Sequence, residues 1–380
     1  MDKRLVLLGA LLSFALVPSA QAGDKPGPAD YFPLAESKGG WRSALPEKGD
    51  PDDKQKAAIA KLGVDFDKLK DAWSYNARPD GATGLIVIRK GTVVGEWYKE
   101  GDQNKPFNVY SSSKAYTSLA YGLLLSESEA GRNKLTLDTK VGNETWLPES
   151  LPLSDPRRAD ITVRHLLNMT SGVGGESLPI DTAPFEIALG KTKKSPFAKL
   201  KSDPGEKFLY SDAGVAHLVL LFNRAAGRDL QPYLKERVFS PVGMENVTWM
   251  QIGGKGKLGP LSQGYSGVLT TPREHARFCY LALHKGKWDG RRLIPESHYD
   301  FAWTGTRANP MYGAQWWVYP RHPDAPMDLV QTSGAFNNVG IVVPSLDLVF
   351  VRLGDGKVFP DKDFTQRLLK KVLAAVVRNP

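Results

Sequence analysis

One cysteine in 380 residues, Cys279, excludes any intrachain disulfide. Its setting, Phe278-Cys279-Tyr280-Leu281-Ala282-Leu283, is apolar and suits a buried, inert thiol rather than a nucleophile. Histidines number only six. No cluster of His, Cys and carboxylate residues has metal-ligand spacing, so neither a metal nor a cofactor is expected. The chain has no Gly-x-Ser-x-Gly elbow, and no histidine motif accompanies a serine, which argues against a Ser-His-Asp triad. His165 and His217 lie on apolar, helix-like segments and read as core histidines. Internal repeats and low-complexity tracts are missing, and no apolar run is long enough to span a bilayer comfortably.

The longest such run, residues 5–17, follows Lys3 and Arg4 and precedes the small-x-small triplet Ala20-Gln21-Ala22. That order is expected of a secretion signal, residues 1–22, cleaved before Gly23. No cysteine follows the cleavage site to carry a lipid, so the mature chain is expected in the periplasm or the medium without a stable membrane anchor. Cleavage removes Lys3, Arg4 and Asp2, which takes the formal charge from +9 to +8. An exported chain has no nucleic acid to meet, so an anionic cell wall or membrane surface, or solubility alone, accounts for the basic balance. The densest basic run, Lys191, Lys193 and Lys194, reads as a solvated helix face. A 41% hydrophobic and 10% aromatic content belongs to a globular protein.

Residues 23–53 are rich in Pro and Gly and read as an extended surface arm. Residues 54–73 carry helical spacing through Ile59, Leu62, Phe66 and Leu69. Two β-rich runs, residues 85–88 and 93–98, flank Arg89-Lys90-Gly91 as a hairpin. A second hairpin is read at residues 340–343 and 348–351, around Pro344-Ser345-Leu346-Asp347. Residues 212–226, 229–239, 276–284 and 364–377 have helical patterns, with Gly227 ending the first. Strands at both ends with helices between predict one sheet built from the two termini. On this reading one domain, residues 54–380, has a mixed lobe from 54–110 and 265–380 and a helical lobe over about 120–260.

Chemistry concentrates at Ser111-Ser112-Ser113-Lys114, placed just before the apolar residues 115–125. Side chains three apart share a helix face, so the Ser111 hydroxyl and the Lys114 amine point into one pocket. A neutral hydroxyl is a poor nucleophile, and a nearby amine that holds its proton is one means of activating it. Ser112 and Ser113 lack a lysine three residues on. A capping serine beside a surface lysine is the ordinary alternative. Tyr210-Ser211-Asp212 opens a helix and supplies a phenol able to move a proton. Thr332-Ser333-Gly334-Ala335 enters the C-terminal strands, where a glycine admits substrate and the next N–H faces a developing oxyanion.

In this order the three motifs resemble the serine β-lactamase and penicillin-binding superfamily. The likeness is greatest to its class C-like branch: class C β-lactamases, D-alanyl-D-alanine carboxypeptidases, related esterases and aminohexanoate-oligomer hydrolases. Ile161-Thr162-Val163-Arg164-His165-Leu166-Leu167-Asn168-Met169-Thr170-Ser171-Gly172 fits that branch. So do Phe239-Ser240-Pro241-Val242-Gly243-Met244, Gly267-Val268-Leu269-Thr270-Thr271-Pro272-Arg273 and Tyr312-Gly313-Ala314-Gln315-Trp316-Trp317. Met169, where many relatives have His, looks most like the aminohexanoate-oligomer type. The resemblance implies an α+β fold: an antiparallel sheet with helices on both faces and an inserted helical lobe, the site lying between them. It further implies Ser111 as nucleophile, Lys114 as its partner, Tyr210 as proton-transfer group, and the amides of Ser111 and Ala335 as oxyanion hole. Asp212, Thr332, Ser333, Gly334 and Trp316 are its expected substrate contacts.

Two positions depart from the pattern. Thr332 stands where Lys or His often binds a substrate carboxylate, which favours a neutral ester or amide over a β-lactam or a D-alanyl peptide. Asp212 stands where relatives often have Asn; facing Lys114, its charge would hold the lysine as a fixed cation and leave the proton to Tyr210. The expected reaction is therefore hydrolysis of an ester or amide through an acyl-enzyme. A non-catalytic cell-wall binder on the same scaffold remains the alternative, and the oligomeric state is not legible.

Overall fold

The computed structural model describes residues 31–175, 177–179, 183–254, 256–318, 325–355 and 363–377. The expected signal segment, residues 1–22, lies outside them. A six-stranded sheet organises the fold. Its strands are β1 (Thr83–Arg89), β2 (Thr92–Lys99), β3 (Trp317–Val318), β4 (Val330–Gly334), β5 (Asn338–Val343) and β6 (Leu348–Gly354). Their order across the sheet is β3-β4-β5-β6-β1-β2, and every pairing is antiparallel. The two ends of the chain thus meet along β1 and β6, strands whose residues are all buried. Burial on both faces explains why Leu85-Ile86-Val87-Ile88 and Leu348-Val349-Phe350-Val351 read as unbroken apolar runs.

Alternation decides which face each side chain joins. Leu85, Val87, Ile341 and Phe350 pack with helices α1 (Asp53–Lys61), α2 (Phe66–Asn76) and the C-terminal helix Phe364–Ala375. Ile86, Ile88, Val349 and Val351 face the other core, which includes the helix Pro272–Leu283. The β1–β2 turn uses Lys90 at φ 48° and Gly91 at φ 67°, the paired left-handed conformation of a tight hairpin. The pattern read as one helix over 54–73 is two, because Gly63 takes φ 78° and Asp65 caps the second by accepting from the Lys68 N–H.

Helices α3 (Ser113–Glu129) and α4 (Asp212–Ala226) lie in the helical region between the strand pairs, and Gly227 ends α4 at φ 68°. A short sheet of Phe107–Asn108, Val268–Thr270 and Thr248–Trp249 joins that region to the segment before Ser111. The arm is less superficial than its composition suggests. Trp41 is buried, and Glu36 pairs with Arg273 and Arg277 of the Pro272–Leu283 helix.

Candidate active site

The segment carrying Ser111 changes helix type. Tyr110, at φ 48°, donates its N–H to Asn108 Oδ1 at 2.8 Å. One 3-10 turn, Tyr110–Ser112, precedes α3, so Ser111 lies just ahead of the α-helix rather than in its first turn. The N-cap position is Ser112, and no side chain caps it. Ser112 Oγ donates to the Asn338 carbonyl at 3.0 Å, and the Val268 N–H donates to Ser113 Oγ at 3.0 Å. Both of these serines are buried and tie the turn to two different sheets. Ser111 is half-buried and faces Lys114.

Lys114 is almost wholly enclosed, and its Nζ has three oxygen neighbours: Ser111 Oγ at 3.1 Å, Asp212 Oδ1 at 2.8 Å and the Tyr265 carbonyl at 2.9 Å. The carbonyl and the carboxylate can only accept, so two N–H bonds are committed to them. The third direction of the nitrogen, proton or lone pair, points at Ser111. Ser211 rather than Asp212 is the N-cap of α4, its hydroxyl accepting from the Gly214 N–H. That leaves the Asp212 carboxylate free to pair with Lys114.

Tyr210 completes the cluster. Its ring lies over Lys114 Nζ, 4.7 Å from centroid to nitrogen, and its hydroxyl has no hydrogen-bond partner among the described residues. The segment holding it runs against Met169, itself at φ 57°, whose carbonyl accepts from the Leu209 N–H and whose sulfur lies 3.3 Å from the Ser211 nitrogen. Tyr312 stands edge-on to Tyr210 at 6.1 Å, and Trp317 stacks on it at 6.1 Å and 20°. Burial pushes the Tyr265 phenol up to about 12, the Asp212 charge adding to it. Burial, with Tyr210 and Asp212 nearby, raises Tyr312 well beyond the ordinary phenol range.

At the end of β4 the backbone meets the turn that carries Ser111. A Cβ on Gly334 would stand 2.1 Å from the Val109 carbonyl and 3.2 Å from the Ser111 nitrogen. Ala335 follows as the exposed first residue of a 3-10 turn, Ala335–Asn337, a position whose N–H has no acceptor within the turn. On the oxyanion role expected of the Ala335 amide, Gly334→Ala should drive β4 away from Ser111 and lower kcat by roughly 10²-fold, since removing one such donor costs that much or more. Steady-state kinetics on protein with an unchanged near-UV spectrum reads this, and a wild-type kcat would show that the close approach is dispensable.

Two expected substrate contacts are corrected. Trp316 is fully buried, stacked 5.8 Å from Phe278 and edge-on to Trp303, because its neighbour Trp317 takes the outward position beside Tyr210. Thr332 is also buried. Its Oγ1 accepts from the Gly340 N–H at 3.0 Å and lies 3.2 Å from His275 Nε2 in the Pro272–Leu283 helix. Its hydroxyl is thus spent inside the fold. Ser333 is half-buried beside it. His165 is corrected as well: half-buried, it closes a capping box with Thr162 rather than filling the core. His217 and Cys279 are buried as expected. Tyr265, acting through its main-chain carbonyl, carried no motif to find it, whereas Trp317 ends the stretch 312–317, whose pattern does not say which of its two tryptophans faces outward. Among the described residues no group of His, Cys, Asp and Glu is arranged to hold a metal.

The Beta-lactamase family model matches residues 76–374, and the chain belongs to that family of serine hydrolases. It is 26% identical over 199 residues to penicillin-binding protein 4* of Bacillus subtilis, covering 48% of this chain and 40% of that one. It is 28% identical over 211 residues to esterase EstB of Burkholderia gladioli, covering 49% and 51%. These matches span about half or less of the curated relatives' lengths. In structure it is similar to a Bacillus anthracis protein named as a 6-aminohexanoate-dimer hydrolase, with TM-score 0.61, 19% identity and 80% of each chain covered.

Proposed function

We propose that this protein is an exported serine hydrolase that cleaves a neutral ester or amide through an acyl-enzyme on Ser111. The observation that carries the reading is the placement of Lys114 Nζ in contact with Ser111 Oγ and Asp212 beneath the Tyr210 ring. In this reading Ser111 Oγ attacks the substrate carbonyl carbon as Tyr210, acting as its phenolate, takes its proton, with Lys114 held by Asp212 as a fixed cation. The charge that develops on the carbonyl oxygen is met by the Ser111 and Ala335 amides. Tyr210 returns the proton to the leaving alcohol or amine. Water then attacks the acyl carbon, and the Ser111 oxygen recovers a proton as the acid departs.

The neutral-substrate preference rests on position 332, which carries no cation and whose hydroxyl is bonded away from the cleft. Tyr210 and Trp317, backed by the buried Tyr312, supply an aromatic wall for an apolar acyl or leaving group. A fluorophosphonate probe should label the protein and fail to label Ser111→Ala. A panel of short-chain p-nitrophenyl esters, an aminohexanoate dimer, a D-Ala-D-Ala peptide and a chromogenic cephalosporin then ranks substrates, with esters or the aminohexanoate dimer first. Rapid cephalosporin turnover without ester hydrolysis would reverse that ranking. A well-folded protein that is never labelled would instead be a binder on this scaffold. Export predicts a mature N-terminus at Gly23, read by mass spectrometry of the secreted protein.

A further inference from the structure

Beneath the two amides assigned to the oxyanion hole lies one fully buried side chain, Asn338, the first residue of β5. Its Nδ2 is 2.9 Å from the Ala335 carbonyl, 3.3 Å from the Asn108 carbonyl and 3.0 Å from the Gly354 carbonyl. Its Oδ1 accepts from the Gly354 N–H at 2.6 Å, and its own carbonyl accepts from Ser112 Oγ. One amide therefore touches the residue that carries one oxyanion N–H, the strand that leads to the other, and the neighbouring strand β6. No other polar side chain of similar shape does this, because the position needs donors toward carbonyls and an acceptor toward Gly354.

The backbone it spans is under conformational load. Tyr110 precedes Ser111 at φ 48°, and Phe336 follows Ala335 at φ 59°, both in the left-handed region that costs non-glycine residues free energy. The two rings meet at 5.1 Å across the gap, and Arg352 Nη1 donates to the Phe336 carbonyl. Such conformations persist only where surrounding contacts fix them, and Asn338 supplies a contact to each side.

We infer that Asn338 is a positioning residue that sets the spacing of the Ser111 and Ala335 amides and so tunes stabilisation of the tetrahedral intermediate. The inference rests on the hydrolase reading above. In Asn338→Asp the carboxylate keeps the acceptor toward Gly354 but turns oxygen toward the Ala335 and Asn108 carbonyls, which separates the two halves of the hole. Asn338→Ser makes a milder change and retains a donor.

The test is kcat per active site, counted by fluorophosphonate titration, together with KM for a p-nitrophenyl ester and Ki for phenylboronic acid. Counting sites removes any loss that comes only from misfolding. We expect kcat per site to fall about 10- to 100-fold in Asn338→Asp and less in Asn338→Ser, with KM within about threefold. The boronate Ki should rise in step with the loss of kcat/KM, which a merely structural role would not produce. A protein that keeps its near-UV spectrum yet no longer titrates counts as complete loss of the hole. Wild-type kcat per site and wild-type boronate affinity in both variants would overturn the role of Asn338 while leaving the hydrolase reading intact. A wild-type protein that neither labels nor hydrolyses esters would remove both.

Discussion

Lys114→Met is expected to lose on the order of 10²- to 10⁴-fold in kcat and about 3 kcal/mol of stability at once. The rate loss follows from the 3.1 Å contact with Ser111 Oγ, the stability loss from the Asp212 carboxylate 2.8 Å from the same nitrogen. Lys114 is about 1% exposed and Asp212 about one-fifth, so removing the cation leaves a partly buried anion with no partner. Solvent reaching Asp212 keeps the cost at the lower end of the range for a broken buried pair. The double variant Lys114→Met/Asp212→Asn separates the two effects. It should regain most of the urea midpoint and none of the rate. Recovery of rate along with stability would mean that Lys114 holds the fold and has no part in activating Ser111. Asp212→Asn alone should change the pH–rate profile, and an unchanged profile would show that the carboxylate does not govern the charge at Ser111.

Acid should destabilise this protein below about pH 6.5, because three of its histidines are buried in the neutral form. Burial holds His217 down to about 3, helped by the nearby Arg158 charge; burial alone holds His275 to about 3 and His298 to about 4. Each has a folded-state pKa below its unfolded value near 6.5. Between those limits the unfolded chain binds protons that the folded one refuses, so stability rises with pH through the window and is lost as pH falls. Above pH 6.5 the three contribute no slope. Together they give about 4 kcal/mol per pH unit near the middle of the window.

The hydrogen bonds explain the neutral rings. His217 Nδ1 donates to the Ala213 carbonyl at 2.7 Å while Nε2 accepts from Arg158 Nη1 at 3.1 Å. His275 lies between Tyr116, 2.8 Å from its Nδ1, and Thr332, 3.2 Å from its Nε2. Protonation would set a donor against a donor at His217. Urea midpoints measured between pH 7.5 and 5 read the slope. His217→Gln should flatten it by about a third, and an unaltered slope would place the acid lability elsewhere.

The pairing of Ser111 with Lys114 was legible because a spacing of three brings side chains together in a 3-10 turn as well as in an α-helix. Tyr210 and Asp212 were legible as a helix start, and the apolar runs of β1 and β6 as a buried sheet. Residues that differ from their neighbours only in direction were not legible. Trp316 and Trp317 are chemically equal, as are Asn337 and Asn338. Yet Trp316 is enclosed and Trp317 is at the cleft. Asn337 Oδ1 accepts from Thr365 Oγ1, whereas Asn338 braces the hole.

Local patterning was enough for the central hairpins, most of the longer helices and the residue types able to carry an acyl transfer, since periodicity, caps and turn glycines act over a few residues. The tertiary structure alone decided that the Thr332 hydroxyl turns inward to His275, that Lys114 finds Asp212 from 98 residues away, and that β4 abuts the Ser111 turn. A strand's side chains alternate, so a shift of one residue exchanges core for cleft. That register is fixed by the pairing of β4 with β5 and by the packing of the helix beneath them, contacts between segments far apart along the chain.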